Sequence, residues 1–589
     1  MNNSQNNQRS GKRTLGNFSS LALFETGSQW KVKLRILATT ALLTVIWPGA
    51  WAFGSQTDPY KIWMLAEIAG QYAAVGQKDK AAELLGQALP LVEGISDDCD
   101  KPEPIAEIAR QYAAAGQEAR SSQLLAQAIR VAKTAKGCSG VNDEGENLGD
   151  IATRYWENGQ YDQTLQILRQ LGDDTFKALA LAYYAPQLAE VGRANQATAV
   201  LAEALQIAQT IDKTTSKAVA LARIADHSIK LGHNAQAVEV LTQALQTAQI
   251  MDDDFYKANM LGEIAGKYAK VGQKTQAIKV LSQALSIAQT IENPSLKALR
   301  LAEIAVEYAK VGQLDQALQV VQTIDDDAKS KARALSVIAV LYAVENQESK
   351  ANELFSQALQ LSQTLNESAD KAGALSGIAR HYAEAGQLDQ ALQVVQTISD
   401  ADQKAAALYG IALHYAETGQ LEQAIRVAQT IDDDARHRGP GGDARYKASA
   451  LSRVAGYYAE AGQPDQAMRV AQTIDDDARS KAVALSRVAG YYAEAGQPDQ
   501  ALQTAQAIDA LSVEDYDTDW ILLQIAREYA KAGQFDQALQ VTQTIEGKRN
   551  KVKALTAIAG QYAAREQKEK ASETLARALQ IVQVREPGQ

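Results

Sequence analysis

Apolar residues recur along most of the chain at the spacing of one helix face. The stretch "LSRVAGYYAEAGQPDQALQTAQAI" shows the pattern, because apolar or small residues fall at i, i+3, i+4, i+7 and i+8: Leu485, Val488, Ala489, Tyr492 and Ala493. Gly496 follows, where a left-handed residue ends a helix, and Pro498 stands where the first turn of a helix tolerates proline. A second apolar face comes next, so the stretch predicts two helices joined by a tight turn.

This helical hairpin is repeated along the chain. The sixteen residues "SRVAGYYAEAGQPDQA" occur at 452–467 and again, letter for letter, at 486–501. The turn residue recurs at fourteen positions: Gly76, Gly116, Gly159, Gly192, Gly232, Gly272, Gly312, Asn346, Gly386, Gly419, Gly462, Gly496, Gly533 and Glu566. The longer repeats add about seven residues inside the second helix, close to two helical turns, which leaves the buried face unrotated. We therefore expect fourteen hairpins that present a repeated surface.

The residues around the turn resemble those of a known repeat family. Tyr stands four residues before the turn and Ala five after it, with small or aliphatic residues between, as in Ile304, Ala305, Tyr308, Gly312, Ala317 and Val321. This pattern resembles the tetratricopeptide repeat (TPR) over roughly residues 57–585, as in an exported bacterial TPR-like repeat protein. The departures are Asn346 and Glu566 at the turn, and "TIDDDA" in place of a closing proline.

The resemblance implies an all-α fold, a right-handed α-solenoid of about fourteen helix-turn-helix TPR-like repeats. First helices would line a concave groove, and stacking would make a long, thin solenoid. In the "TIDDDA" loops we expect Asp to cap the next helix N-terminus.

The first 52 residues have a different character from the repeats. Lys31, Lys33 and Arg35 precede an apolar stretch at 36–47, which is short for a membrane span, and an A-x-A pattern ends at Ala52. We predict a signal peptide at 1–52 that is cleaved before Phe53, and an exported periplasmic or extracellular protein without a stable membrane span. An uncleaved N-terminal anchor is the alternative. The solenoid would occupy 53–585, followed by a C-terminal tail at 586–589.

Charge and motif content restrict the possible functions. The net charge is −11, and no local basic stripe stands out, so we expect no nucleic-acid partner. No nucleophile, phosphate-loop or zinc motif is present, so we expect a non-enzymatic protein with no cofactor and no metal. The leading hypothesis is a scaffold that binds partner proteins through the groove or its edges. The alternatives are a pentatricopeptide-like RNA binder, suggested by segments such as "YAKAGQFDQALQ", and a structural envelope or matrix component without a discrete ligand.

Charge is segregated along the stack two residues before the turn. Hairpins five to seven carry Lys there and hairpins nine to twelve carry Glu: Lys230, Lys270, Lys310, Glu384, Glu417, Glu460 and Glu494. Lys suits a helix C-terminus, whereas Glu opposes the helix dipole. We predict partner-binding positions here, in particular an acidic strip for a basic partner segment, with neighbouring contacts from Arg453, Tyr457, Arg487 and Tyr491. The alternative is a row of solvated helix ends in which duplication copied Glu.

Several further positions invite interpretation. Cys99 and Cys138 follow two helical segments, and in an oxidising compartment they could form a disulfide; two free thiols are the alternative. The insertion "HRGPGGDAR" at 437–445 predicts a loop, either a duplication scar or a functional protrusion. His227, His381 and His414 occupy a variable position five before the turn, and we expect them to be exposed. None of the positions six before the turn is Asn, so we expect no carboxylate clamp for acidic chaperone tails.

Overall fold

The computed structural model describes residues 59–135, 143–325, 327–432, 436–439, 442–475, 477–511, 513 and 518–583. By internal packing the chain divides into two units, 1–56 and 57–589, and every described residue belongs to the second. The predicted signal peptide, its cleavage point between Ala52 and Phe53, and the tail at 586–589 lie outside the described residues.

The described residues form 28 α-helices that pair in chain order, which confirms the predicted all-α solenoid of helix-turn-helix repeats. The hairpins are α1 (Pro59–Ala74) with α2 (Lys78–Glu93), α3 (Pro102–Ala114) with α4 (Glu118–Thr134), α5 (Asp143–Glu157) with α6 (Tyr161–Leu168), α7 (Asp174–Glu190) with α8 (Ala194–Thr210), α9 (Thr214–Lys230) with α10 (Asn234–Gln249), α11 (Asp254–Lys270) with α12 (Lys274–Thr290), α13 (Pro294–Lys310) with α14 (Leu314–Gln322), α15 (Ala328–Val344) with α16 (Glu348–Gln363), α17 (Ser368–Glu384) with α18 (Leu388–Gln396), α19 (Ala401–Glu417) with α20 (Leu421–Gln429), α21 (Tyr446–Glu460) with α22 (Pro464–Gln472), α23 (Ala478–Glu494) with α24 (Pro498–Asp509), α25 (Asp519–Lys531) with α26 (Phe535–Thr544), and α27 (Lys548–Ala564) with α28 (Lys568–Gln583).

Each turn inside a hairpin closes its first helix in the same way. In hairpin twelve the amide of Gln497 donates to the carbonyl of Tyr492 at 2.8 Å, and the amide of Gly496 donates to the carbonyl of Ala493 at 3.0 Å. This pair of bonds needs a left-handed residue at the turn, and all fourteen turn residues have positive φ. Glycine meets that need without strain, whereas Asn346 and Glu566 adopt φ of 62° and 61°.

Aspartates between hairpins cap the helices that follow them. Asp327 accepts a hydrogen bond from the amide of Ser330 at 3.0 Å, and Asp477 accepts one from the amide of Ser480 at 2.9 Å. Such a side chain satisfies one of the unpaired amides of the first helical turn. The predicted capping role of the "TIDDDA" loops is therefore confirmed at these two helices.

Successive hairpins pack in two layers. Each second helix packs against the first helix of the next hairpin, and neighbouring first helices also pack against each other. Between α5 and α7 the contact is made by large side chains, because the rings of Trp156 and Tyr184 lie 4.7 Å apart. Second helices of successive hairpins lie further apart and meet through long polar side chains, as where Gln209 Nε2 of α8 donates to Gln243 Oε1 of α10 at 2.9 Å. First helices therefore form the inner layer of the stack, and we call the side of them away from the second helices the inner face.

The first hairpin also packs against the last, so the solenoid is closed and is not the long, thin stack that the resemblance implied. Helix α1 contacts both α27 and α28, as every first helix contacts the hairpin before it. Gln77 Nε2 donates to Ser572 Oγ at 2.7 Å, and Thr556 Oγ1 donates to Glu67 Oε1 at 3.0 Å. The guanidinium of Arg549 lies 5.1 Å from the ring centroid of Tyr60.

The contact between hairpins fourteen and one joins the same repeat positions as the contacts between consecutive hairpins. A Cβ built on Gly560, six before its turn, would lie 2.9 Å from Oε1 of Gln71, five before the turn of hairpin one. Between hairpins six and seven, a Cβ on Gly266 would lie 2.8 Å from Oε2 of Glu307 at the same two positions. Hairpin one thus occupies the place that a fifteenth hairpin would take, and the fourteen hairpins close on themselves.

The insertion between hairpins ten and eleven forms a two-stranded antiparallel ribbon, β1 (Arg436–Gly439) and β2 (Gly442–Arg445). It contacts α19 through β1 and leads directly into α21 through β2. Cys99 lies in a short 3₁₀ helix, Asp98–Asp100, and is not a free thiol, while Cys138 lies outside the described residues, so the bridge between them stays a prediction. In the part of the chain that the structure describes, no helix is both long and apolar enough to cross a membrane.

Candidate partner-binding site

The three lysines of the predicted site lie on the inner layer and contact carboxylates of the chain itself. Lys230 and Lys270 place Nζ 3.4 and 3.5 Å from the two carboxylate oxygens of Asp226, and Lys310 Nζ lies 2.6 Å from Glu307 Oε1. Lys230 and Lys270 keep 57% and 62% of their side-chain surface exposed. The ion pairs therefore leave both lysines accessible to a partner.

Asp226 is the centre of a charge cluster that the sequence analysis missed. The nearly buried Lys267 lies 3.1 Å from Glu263 and 3.9 Å from Asp226. Burial by itself would raise the pKa of Asp226, but Lys267, Lys270 and Lys230 together lower it to about 2. The only sequence signal was the spacing of Asp226 four residues before Lys230, which is typical of a helical ion pair.

The four glutamates of the predicted acidic strip differ in environment. Glu384 is half-buried and lies 3.6 Å from Arg380, and burial raises the pKa of its carboxyl group. Glu417 accepts a hydrogen bond from the hydroxyl of Tyr457 at 3.4 Å. Glu460 and Glu494 are exposed, and burial together with repulsion from Glu528 raises the pKa of Glu494. Three members of the strip are thus exposed at the ends of consecutive first helices.

The four predicted neighbours of that strip do come together on the inner face. The guanidinium of Arg487 lies across hairpin eleven, where a Cβ on Gly456 would be 2.6 Å from Nη1. Burial raises the pKa of Tyr457 and the positive charge of Arg453 opposes that effect, and the hydroxyl of Tyr491 lies 3.3 Å from the position of a Cβ on Gly462. Glycine at 456 is therefore needed for this close approach.

Two further tyrosines, which the sequence analysis missed, extend this group. The rings of Tyr409 and Tyr446 lie 6.0 Å apart in an edge-to-face arrangement, and Tyr409 is close enough to Arg487 to influence its pKa. We call the six residues the Arg–Tyr cluster: Tyr409, Tyr446, Arg453, Tyr457, Arg487 and Tyr491. Tyrosine and arginine dominate the binding energy of many protein interfaces.

The two arginines of the cluster interact unfavourably. Burial lowers the pKa of Arg487, and the positive charge of Arg453 lowers it further, while Glu460 and Tyr457 oppose that effect. Nε of Arg453 is buried without a hydrogen-bond partner. The cluster is therefore positively charged at its centre, with the glutamates toward the ends of the helices.

The expectation that the three histidines are exposed is wrong. His381 is 4% exposed, and its Nδ1 lies 2.8 Å from Ser336 Oγ of the preceding hairpin. Burial, with a smaller effect of Arg380, lowers the pKa of His381 to about 3. Burial likewise lowers the pKa of His227, to about 4, and that of His414. His381 is therefore buried against the preceding hairpin, and His227 and His414 are partly buried.

Among the described residues, no group of three or more His, Cys, Asp or Glu side chains has a geometry that could hold a metal ion. The carboxylate of Asp519 accepts hydrogen bonds from the amides of Glu546 and Gly547, at 3.0 and 2.5 Å. This carboxylate therefore joins α25 to the loop before α27.

One sequence family matches part of the chain. Residues 345–410 match the sequence profile described as the tetratricopeptide repeat. The matched residues run from the turn of hairpin eight into α19, so the pattern of the tetratricopeptide repeat is present in this part of the chain. No protein of curated function matches the sequence.

Solved structures resemble the chain only distantly. Ton1535 from Thermococcus onnurineus NA1 is 14% identical, with a TM-score of 0.28, over 70% of this chain and 98% of its own. The pentatricopeptide repeat protein PPR10 from maize is 12% identical, with a TM-score of 0.28, over 87% of this chain and 82% of its own.

Proposed function

We propose that this TPR protein is a non-enzymatic, extracytoplasmic scaffold that binds a partner protein on the inner face of hairpins nine to twelve. The observation that carries the proposal is the Arg–Tyr cluster beside Glu417, Glu460 and Glu494. Aromatic and arginine side chains supply most of the binding energy at protein interfaces, and exposed carboxylates at helix C-termini are not explained by helix stability.

The chemistry of the strip suggests the kind of partner. Exposed glutamates one hairpin apart would attract a basic segment, and this attraction would weaken as salt screens it. The overall net charge of −11 also favours a basic partner over a nucleic acid.

The test changes Glu384, Glu417, Glu460 and Glu494 to Gln together and compares captured partners at low and high salt. A matched control changes four exposed glutamates of second helices to Gln: Glu83, Glu348, Glu422 and Glu569. We expect the strip variant, but not the control, to lose salt-sensitive partners while circular dichroism stays unchanged. An identical set of partners for both variants at both salt concentrations would contradict the proposal. A salt-sensitive RNA shift by the purified protein would favour RNA binding instead.

The proposed location is tested separately. We expect N-terminal sequencing of the native protein to begin at Phe53, after removal of the basic and apolar leader. A full-length chain recovered as the main species would refute export with cleavage.

A further inference from the structure

The exposed glutamates at the ends of the first helices lie next to side chains of the following hairpin. Glu417 of hairpin ten accepts a hydrogen bond from the hydroxyl of Tyr457 of hairpin eleven at 3.4 Å. One step along, the hydroxyl of Tyr491 lies 3.3 Å from the position of a Cβ on Gly462, two residues after Glu460. The repeat therefore brings a Tyr to the glutamate-bearing end of the preceding first helix twice, one hairpin apart.

Three of these glutamates are available to a cation of a partner. Among the described residues, no Lys, Arg or His side chain lies within 4.0 Å of the carboxylates of Glu417, Glu460 and Glu494. Glu528 of hairpin thirteen takes the place of the Tyr beside Glu494, and it pairs with Lys531 at 2.5 Å. The site thus presents one available carboxylate per hairpin, with an aromatic ring beside the first two.

The position of Tyr491 leaves a buried hydroxyl group without a partner. Ser452 is 3% exposed, and its Oγ has no hydrogen-bond partner among the described residues. The equivalent Ser336 bonds to His381 at 2.8 Å, and His381 holds in hairpin nine the position that Tyr491 holds in hairpin twelve. Because an unsatisfied buried hydroxyl costs stability, hydrogen bonding to the preceding hairpin does not explain Tyr491. The surface that its ring forms beside the glutamates does.

We propose that the three glutamates bind a polyproline II segment of the partner in which every third residue is Lys or Arg. Neighbouring first helices pack about 8–10 Å apart, and this distance separates successive glutamates. In a polyproline II segment, residues three apart lie on the same side at a spacing of about 9.3 Å. Side chains on one face of a β-strand are about 7 or 13 Å apart and match less well. This inference rests on the proposed function, because it specifies the basic segment of the same site.

The width of the site favours this segment over an α-helix. Residues seven apart in a helix are also about 10 Å apart, but a helix is about 10–12 Å wide. The guanidinium of Arg487 lies over Gly456, four residues or about 6 Å along the helix from Glu460. A basic helix centred on the glutamates would therefore lie against that cation. A narrow segment avoids it, and a cation bound at Glu417 also lies beside the ring of Tyr457.

Peptides of equal charge and length test the spacing when titrated into the purified protein. Each fluorescent peptide is acetylated, amidated and has three Lys, placed at every second, third, fourth or seventh position. The remaining residues are Pro and Ser in the first three peptides, and Ala and Gln in the last, which can form a helix. We expect Lys at every third position to bind about 5-fold or more tightly than the others, the scale of one exposed ion pair with one cation–π contact.

A double-mutant cycle assigns the middle Lys of that peptide to Glu460. Glu460→Gln should weaken binding of the peptide about 5-fold and leave unchanged a peptide whose middle Lys is Gln. A general loss of negative charge would weaken both peptides alike. Tyr491→Leu should also weaken only the peptide with three Lys. The matched controls Glu422→Gln, on a second helix, and Tyr256→Leu, an exposed tyrosine of hairpin six, should weaken neither.

The outcomes separate this inference from the proposed function. Equal affinities for all four peptides, or equal effects of Glu460→Gln on the two peptides of the cycle, would refute the inference and leave the proposed function standing. Tightest binding with Lys at every second, fourth or seventh position would refute the polyproline II segment in favour of a strand or a helix. No binding of any peptide would refute the basic-segment partner and this inference with it.

Discussion

Closure of the fourteen hairpins can be tested with a chemical cross-link. The change places cysteines at Gln77 and Ser572, whose side chains meet at 2.7 Å although the residues are 495 positions apart. From standard bond lengths, this contact puts the two Cα atoms at most about 10 Å apart. A short bismaleimide should therefore join them within one molecule when the hairpins are closed.

Two control pairs make the result specific. Ala82 and Gln117 occupy the equivalent positions in hairpins one and two, so this pair should cross-link whether or not the ends meet. Gln347 is the equivalent of Gln77 in hairpin eight, and its pair with Ser572 should not cross-link within a molecule. The native cysteines are changed to Ser, and mass spectrometry identifies the linked peptides.

The link should also change stability by a calculable amount. On the chain-entropy relation, a link across 495 residues restricts the unfolded chain by about 6 kcal/mol, against about 4 kcal/mol for the 35 residues between Ala82 and Gln117. The closing link should thus raise Tm more than the internal one. Closure is refuted if the Gln77–Ser572 pair links no faster than the Gln347–Ser572 pair while the internal pair links readily.

Three further predictions concern stability. Because the pKa of His381 is lowered to about 3, the unfolded chain takes up a proton that the folded chain does not, and stability should fall as pH drops below about 6.5. Urea titrations at pH 5 and 7 should show a smaller pH dependence for His381→Gln. The control His233→Gln should leave the pH dependence unchanged. Glu566→Gly should raise the free energy of unfolding by about 0.5–1 kcal/mol because glycine adopts the left-handed conformation without strain. Asn346→Gly should raise it less, since Asn tolerates that conformation. Equal effects of the two changes in urea titrations would contradict this reasoning. Arg487→Met should raise Tm because it removes a partly buried charge that has no ion-pair partner among the described residues, and a lower Tm would show that Arg487 stabilises the fold.

Features that depend on a few neighbouring residues could be predicted from the sequence. The turn needs a residue with positive φ, so glycine revealed the hairpins even where Asn346 and Glu566 replace it. The caps at Asp327 and Asp477 likewise depend on contacts three residues apart. The position of the predicted Arg453, Tyr457, Arg487 and Tyr491 group followed from the repeat register alone.

Features that depend on the neighbouring hairpin could not be predicted in the same way. His381 is buried because Ser336 and the helix around it cover the ring, and that helix lies 45 residues away in sequence. Asp226 gathers lysines from two hairpins. Closure depends on the small rotation between each hairpin and the next. Because these rotations add up over fourteen hairpins, a small difference in each of them decides between an open and a closed stack.

The distribution of helix lengths follows from the two-layer packing and bears on the site. First helices span 13 to 17 residues, whereas second helices span 8 to 17, so most of the length variation falls in the outer layer. Each inner helix packs between two inner neighbours, which fixes its length, while an outer helix can gain two turns without changing the inner face. In hairpins nine to eleven the second helices are all nine residues long, and the inner helices still hold their turns in register. The arginine, tyrosine and glutamate positions of the proposed site therefore lie on the helices whose length varies least. A surface that matches one partner over several hairpins would need this constant spacing.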